Sequence, residues 1–260
     1  MSTVTPAAGP GPAAWATDPY ARALSRGCGP LFLRRADGWL LPLDVERWCA
    51  DADAADLSAL RRSEGTVIDI GCGPGRLVAA LAARGHSALG IDVSDAAVGH
   101  TQRLGGSALR RSVFEPLPGE GRWGTALLID GNIGIGGDPR ALLRRVAALL
   151  APGGLLITEA APHEVDEQVQ VRLDDGRGSV GSAPHFPWAR VGVSALLEYA
   201  RSDGWDAVDQ WEAGSRPFLA LRRTRTVRST RQRADTANSA AVISSQFPRN
   251  LSGDIPVAGP

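Results

Sequence analysis

The stretch Asp69-Ile70-Gly71-Cys72-Gly73-Pro74-Gly75 constrains this chain more than any other. It follows the apolar pair Val67-Ile68 and leads into a segment, 76–84, with helical spacing of Leu77, Ala80 and Leu81. Glycines at alternate positions let a strand turn sharply into a helix and let a ligand approach bare backbone. A second apolar run, 88–91, ends in Asp92, 21 positions after Gly71. A carboxylate there is placed to accept hydrogen bonds from a ribose diol. The pattern predicts a nucleoside-bearing ligand lying across the end of a parallel sheet.

A dinucleotide fold would want G-x-G-x-x-G, whose third glycine would stand where this chain has Arg76. Here the third glycine comes one position early, at Gly75, and the acid Asp69 precedes the first. D-x-G-x-G-x-G resembles the glycine motif of the class I S-adenosylmethionine (SAM) dependent methyltransferases. The resemblance runs from about residue 66 to 222. It implies that Gly71, Gly73 and Gly75, with Cys72 between them, line the methionine part of SAM, and that Asp92 and Val93 hold the ribose. By the same resemblance Asp69 orders the loop or reaches the SAM amino group through water. The implied product is S-adenosyl-L-homocysteine.

Composition narrows the function classes. The chain has 260 residues, 43% apolar and 22% charged, as a globular domain with extensions would. Its net charge is zero, so no whole-protein field draws it to nucleic acid or membrane. It contains no lysine, which excludes a Walker phosphate loop and a Schiff-base lysine. Cys28, Cys49 and Cys72 show no C-x-x-C spacing, so neither a zinc site nor a redox pair is expected. An odd cysteine count without a recognisable signal peptide points to a reducing, cytoplasmic setting. No run of about 18 apolar residues is present to span a membrane.

Strands at 66–70, 87–91, 108–110, 124–129 and 155–159 alternate with helical patterns at 76–84, after Ser94 or Asp95, and at 139–150. This predicts an α/β fold with a doubly wound, mostly parallel sheet, and the resemblance implies seven strands with the last antiparallel. A terminal hairpin is expected from 205–212 and 218–222, after a helix at 193–202. Residues 1–17 read as a flexible lead. Residues 18–65 read as an extension with a hairpin at 32–41 around Asp37-Gly38 and helices at 43–49 and 54–62, either a cap over the cofactor or a structural addition. The domain itself is expected over 66–223, with an extra strand at 168–173 and a Gly-, Ser- and Pro-rich loop at 174–187. The polar stretch 224–260 reads as a disordered tail whose Arg225, Arg228, Arg231 and Arg233 either touch an anion or stay solvated.

Further candidate residues follow the later strands. By the same resemblance, many relatives carry an acid where Ser112 stands, so the adenine contact is expected from Ser112 or from the Val113 backbone. After the fourth strand, Asp130-Gly131-Asn132-Ile133-Gly134-Ile135-Gly136-Gly137 should see both the cofactor methyl and the acceptor. Asn132 either orients an acceptor atom by its carbonyl oxygen, binds a substrate carboxylate by its amide, or makes a tight turn with the glycines. The loop lacks N-P-P-[FYW], the signature of amino-methylating nucleic-acid enzymes. Glu159 and His163, at the end of the fifth strand, are the candidate proton acceptors, or else water-facing loop residues. His163 and His185 with Glu164 or Asp166 lack a recognised metal spacing, so no metal is expected. Trp39, Trp48 and His185-Phe186-Pro187-Trp188 offer an apolar wall for a substrate, or core aromatics. The implied activity is methyl transfer to a small molecule. A macromolecular methyltransferase and a non-catalytic SAM binder remain alternatives.

Overall fold

The computed structural model describes Trp15 and residues 18–177 and 184–224. The rest of the expected lead, positions 178–183 of the expected loop, and 225–260 with Arg225, Arg228, Arg231 and Arg233 lie outside the described residues.

The N-terminal extension comprises α1 (Asp18–Arg26), the hairpin β1 (Phe32–Arg35) and β2 (Leu40–Pro42), α2 (Val45–Cys49) and α3 (Ala54–Leu60). Asp53 opens α3 with a capping box, its carboxylate accepting from the Asp56 N–H while Asp56 accepts from the Asp53 N–H. The alternating part follows as β3 (Val67–Ile70), α4 (Arg76–Ala82), β4 (Ala88–Asp92), α5 (Asp95–Arg103), β5 (Ala108–Arg110), β6 (Trp123–Leu128), α6 (Pro139–Leu149) and β7 (Leu150–Glu159). Ser94, the first of the two candidate caps, accepts from the Ala97 N–H at the start of α5. Asp138 caps α6, with Pro139 where a missing N–H does no harm.

The central sheet then gains α7 (Val193–Ser202) and the hairpin β10 (Trp205–Ala213) and β11 (Arg216–Arg223). Its seven strands lie in the order β10-β11-β7-β6-β3-β4-β5. From β5 to β7 all pairings are parallel, and the β10–β11 hairpin closes the sheet antiparallel against β7. The chain runs outward from β3 through β4 to β5, then returns to β6 on the other side of β3. The switch point therefore lies between β3 and β6, where open α/β sheets bind ligands.

Both faces of this sheet are covered, so its strands bury alternate residues in different cores. Ile68, Ile70, Ala126 and Leu128 pack with α6 and α7 residues such as Leu142, Val146 and Leu196. Val67, Leu127, Ile129 and Ile157 pack with Leu60 of α3 and Leu77 and Leu81 of α4.

One part departs from the sequence expectation. Residues 174–187 were expected as one loop, yet Phe186–Val191 forms a strand, β9, beside β8 (Asp166–Asp174). The N-terminal hairpin joins them in a second, antiparallel sheet of order β2-β1-β8-β9. Pro187 argues against a central strand, and β9 indeed sits at an edge, where a missing N–H is tolerated. A third core lies under this sheet, built from Tyr20, Leu24, Leu33, Val45, Val171, Phe186 and Trp188. It seats the N-terminal extension above the carboxyl ends of the parallel strands.

Candidate functional site

A cleft of about 900 Å³ of empty space, part of it open to solvent, lies at the switch point. Its floor is the loop Gly71–Pro74 after β3, with Asp92 and Val93 from the end of β4 and Arg111, Ser112 and Val113 from the turn after β5. Asp130, Asn132 and Ile135 enter from the loop after β6. Trp15, ahead of the extension, Tyr20, Leu43 and Trp48 from the extension, and Trp188 from β9 close it over.

The glycine loop is held from three sides. Gly71, Gly73 and Gly75 all adopt positive φ. At Gly75 (φ 93°) a Cβ would also collide with the Thr101 side chain of α5, so the third glycine serves helix packing. The Asn132 amide donates both its hydrogens downward, to the Ile70 and Gly71 carbonyls at 2.9 and 3.0 Å. A Cβ at Gly71 would come 2.7 Å from that amide nitrogen. Of the two readings of Asn132, the geometry favours a loop clamp. Its N–H groups are occupied, which leaves only the carbonyl oxygen to face a ligand.

Asn132→Asp should therefore be worse than Asn132→Ala. The alanine leaves two carbonyls unpartnered, a loss of roughly 2 kcal/mol, whereas the aspartate adds repulsion against them. Thermal unfolding and cofactor affinity should fall together in that order. A fall in turnover with both unchanged would instead assign Asn132 to the acceptor.

Asp92 is buried at the foot of the cleft. Its Oδ2 accepts from the Gly73 N–H at 3.0 Å and its Oδ1 from the Ser94 N–H at 2.9 Å. Burial pushes this carboxyl up to about 6, against the backbone N–H groups of Ser94, Gly73 and Val93, which favour the ionised form. Each oxygen retains acceptor capacity toward the cleft. Asp69 is not on the cleft wall, but its Oδ2 is buried with no partner. Burial pushes it up to about 7, although the nearby Arg76 charge opposes this.

On the adenine side expected from the sequence, the Ser112 hydroxyl accepts from the Phe114 N–H at 3.3 Å, a local turn. The Val113 carbonyl is taken by Arg145 at 2.7 Å, which leaves the Val113 N–H as the backbone group on offer to a base. Cys72 is buried against Gly90, where a Cβ would come 2.7 Å from its sulfur.

Beneath the cleft lies an ion network that the sequence reading missed. Arg76 grips Asp56 with two hydrogen bonds, at 2.7 and 3.0 Å, and Asp130 with two more, at 2.7 and 3.1 Å. Arg216 of β11 grips Glu159 at 3.0 and 2.7 Å and reaches Asp56 at 3.0 Å. Arg47 of α2 meets Asp130 at 2.7 Å and ties the extension to the sheet. Burial alone would raise the Asp56 carboxyl, yet the Arg76 and Arg216 guanidinium groups hold it below its usual range. The signal available in the sequence was Arg76 itself, the residue directly after the third glycine and buried at 5% exposure.

Several of the expected site residues are engaged by other groups or lie off the cleft. The Asp130 carboxylate (φ 60°) lines the cleft but is occupied by arginines, and Gly131 does not line it. Glu159 was a candidate proton acceptor. Its carboxylate instead accepts from Arg216 and from the Asp130 N–H at 2.9 Å, outside the cleft. His163, the other candidate, accepts at Nε2 from Arg190 at 2.8 Å and faces a separate groove with Leu197 and Trp211. Trp39 lies under Arg35 and Arg190, also away from the cleft, whereas Trp48 and Trp188 line it. Gly75 sits just behind the lining.

A glycine loop at positive φ and a buried carboxylate at the next strand end, on a sheet of this order, define the class I methyltransferase fold. Known proteins agree. A SAM-dependent methyltransferase from Bacteroides fragilis in complex with S-adenosyl-L-homocysteine superposes with a TM-score of 0.65 at 19% identity, covering 83% of this chain and 97% of its own. A structure described by the conversion of a disulfide bond into a thioacetal group during echinomycin biosynthesis gives 0.52 at 19% identity, covering 84% and 96%. The 1,6-didemethyltoxoflavin-N1-methyltransferase of Burkholderia thailandensis gives 0.50 at 22%, covering 66% and 79%. At these identities the likeness is one of fold. The family model described as a methyltransferase domain matches residues 45–189, more than half the chain, and the chain belongs to that family. No curated protein sequence matches it. No helix of the described residues is long and apolar enough to cross a membrane.

Proposed function

We propose that this protein transfers the methyl group of SAM to a small-molecule acceptor. The observation that carries the reading is the roofed cleft, which a buried acid, a positive-φ glycine loop and the rings of Tyr20, Trp15, Trp48 and Trp188 line together. The residues present fit the cofactor. Asp92 would take the ribose hydroxyls, and Gly71, Cys72 and Gly73 would pass under the methionine part. Asp69, buried off the cleft wall, would order the loop. Val93, Ser112 and Val113 would flank the base.

When bound, SAM supplies a methyl group already activated on a sulfonium. The protein's own share is alignment and exclusion of water. Within the cleft, Asp92 is tied to backbone N–H groups and Asp130 to arginines. Among the described residues no imidazole lines it. This arrangement favours an acceptor atom that carries its own unshared pair at working pH.

The Trp15, Tyr20, Trp48 and Trp188 roof favours a small acceptor over a polymer. Structural neighbours include the 1,6-didemethyltoxoflavin-N1-methyltransferase, crystallised with its small-molecule acceptor. The test is label fate. The protein and methyl-labelled SAM are incubated with extract of the native cell, which is then split into small-molecule, protein and nucleic-acid fractions. Label is expected in the small-molecule fraction. Label in a polymer fraction would instead support a macromolecular acceptor.

A further inference from the structure

Tyr20 enters the cleft from α1 of the extension, and its hydroxyl stands beside the glycine loop. A Cβ built on Gly73 would come 3.5 Å from that oxygen, with no other described residue beyond its chain neighbours within 4 Å. The hydroxyl therefore borders open space next to the loop, in the cleft that Tyr20 and Gly73 line together. The ring behind it is fixed. Tyr20 is 4% exposed, meets Trp15 edge-on at 5.2 Å and Trp48 edge-on at 6.4 Å, and belongs to the core under the second sheet. A donor held this way loses little freedom when a ligand arrives.

No described residue takes its proton. The buried side-chain atoms without a partner are Trp48 Nε1, Ser63 Oγ, Asp69 Oδ2, Thr158 Oγ1 and Trp205 Nε1. The Tyr20 oxygen is not one of them, so it keeps access to the cleft. Burial above all, and after it the nearby Asp92 carboxylate, raise the phenol well above its ordinary value. It stays protonated at neutral pH, as a donor must.

The loop itself has no N–H left to give. Gly71 and Cys72 donate to the Ile91 carbonyl at 2.9 and 3.0 Å, Gly73 to Asp92 at 3.0 Å and Gly75 to the Cys72 carbonyl at 3.1 Å. Pro74 has none. The Asn132 amide hydrogens are spent on carbonyls, and Arg76 is held by Asp56 and Asp130. Arg111 is the lining cation with no carboxylate partner among the described residues. It is exposed, and its N–H donates to the Asp92 carbonyl in the turn after β5, on the side of Ser112 and Val113. A carboxylate over Gly73 therefore finds its donor in the Tyr20 hydroxyl and not in the loop, and left unpaired there it would be costly.

We infer that the Tyr20 hydroxyl donates to the carboxylate of the methionine part of SAM, which makes the N-terminal extension a part of the cofactor site. This rests on the reading of the cleft as a SAM site and adds to it a residue from outside the glycine motif.

The test is calorimetry on the full chain with three ligands. They are S-adenosyl-L-homocysteine, S-adenosyl-3-thiopropylamine, which lacks only the carboxylate, and 5′-methylthioadenosine, which lacks the whole amino-acid end. The native protein is expected to bind the first about tenfold more tightly than the second. Tyr20→Phe keeps the ring and removes the hydroxyl. It should weaken S-adenosyl-L-homocysteine about tenfold and change the other two less than about twofold, so that the preference disappears. Arg111→Ala, at an exposed position, should leave the preference in place.

Equal affinity of the native protein for the first two ligands would overturn the inference without any variant. So would a Tyr20→Phe variant that keeps the preference. A variant that weakens all three ligands alike would give the hydroxyl to the ribose or to the loop, and one that weakens both amines alike would give it to the amino group. Loss of the preference in Arg111→Ala alone would move the carboxylate to Arg111, and each of these also overturns it. Failure of the native protein to bind any of the three would sink the cofactor reading itself, a distinct result.

Discussion

Arg76→Met is expected to destabilise the protein by about 3–5 kcal/mol, the cost of breaking a buried ion pair from one side. Arg76 is 5% exposed, and its partner Asp56 is fully buried. Methionine fills much of the volume but leaves Asp56 and Asp130 without four of their hydrogen bonds. It also removes the positive charge that opposes the burial of Asp69. At roughly 2–4 °C per kcal/mol for a domain of this size, the melting temperature should drop by about 6–20 °C.

The pH dependence identifies the cause. In the native protein the Asp56 carboxyl is lowered, so its stabilisation is present above the unfolded value and is lost as pH falls through the folded one. In the variant the same group, buried without its main partner, is raised, and its cost grows as pH climbs past the unfolded value. The gap between the two proteins should therefore be widest near neutral pH and narrow below about pH 4. Replacing Asp56 by leucine as well should recover a large part of the loss, since an apolar pair of similar volume substitutes well for a buried ion pair. A uniform gap across pH, or no recovery in the double variant, would assign the effect to packing alone.

The fold was legible in the sequence because its signals are local. Apolar strands covered on both faces, a proline opening α6 and a serine capping α5 each declare an element within a few residues. The second sheet was not legible. β1 pairs with β8, nearly 140 residues away, and only topology brings them together. Pro187 then disguised β9 as loop. The site divides the same way. The glycine loop and Asp92 carry a fixed spacing, and they do meet at one cleft. Glu159 and His163 were read from strand-end position, which says where a side chain starts but not what it binds. Arg216 comes from an antiparallel strand near the end of the described chain, and its hold on Glu159 could not be seen from either segment alone. Asn132 was visible as a turn residue, yet its role depends on two carbonyls 61 and 62 positions away.

Asp92→Ala is expected to weaken SAM binding by roughly 100-fold or more, as two charge-assisted hydrogen bonds to a ribose diol would. That loss alone is ambiguous, because Asp92 also ties down the Gly73 and Ser94 N–H groups. Asp92→Asn keeps most of the shape and one acceptor, and comparing adenosine with 2′,3′-dideoxyadenosine isolates the diol. The native protein should prefer adenosine, and the variant should bind the two nearly alike, whatever the state of its loop.

Protonation gives an independent check. Burial raises the Asp92 carboxyl to about 6, so in the free protein its stabilisation is present below the unfolded value, near 4, and is lost as pH rises through about 6. A ribose diol donates to the ionised form, so ligand restores above pH 6 what the free protein loses there. Affinity for SAM should therefore climb as pH rises through about 6 and level off near neutrality, and the melting-temperature gain on adding SAM should be larger at pH 7.5 than at pH 5. Asp92→Asn should flatten this part of the profile. If adenosine keeps its full advantage in the variant, the ribose is held elsewhere and Asp92 serves the loop alone.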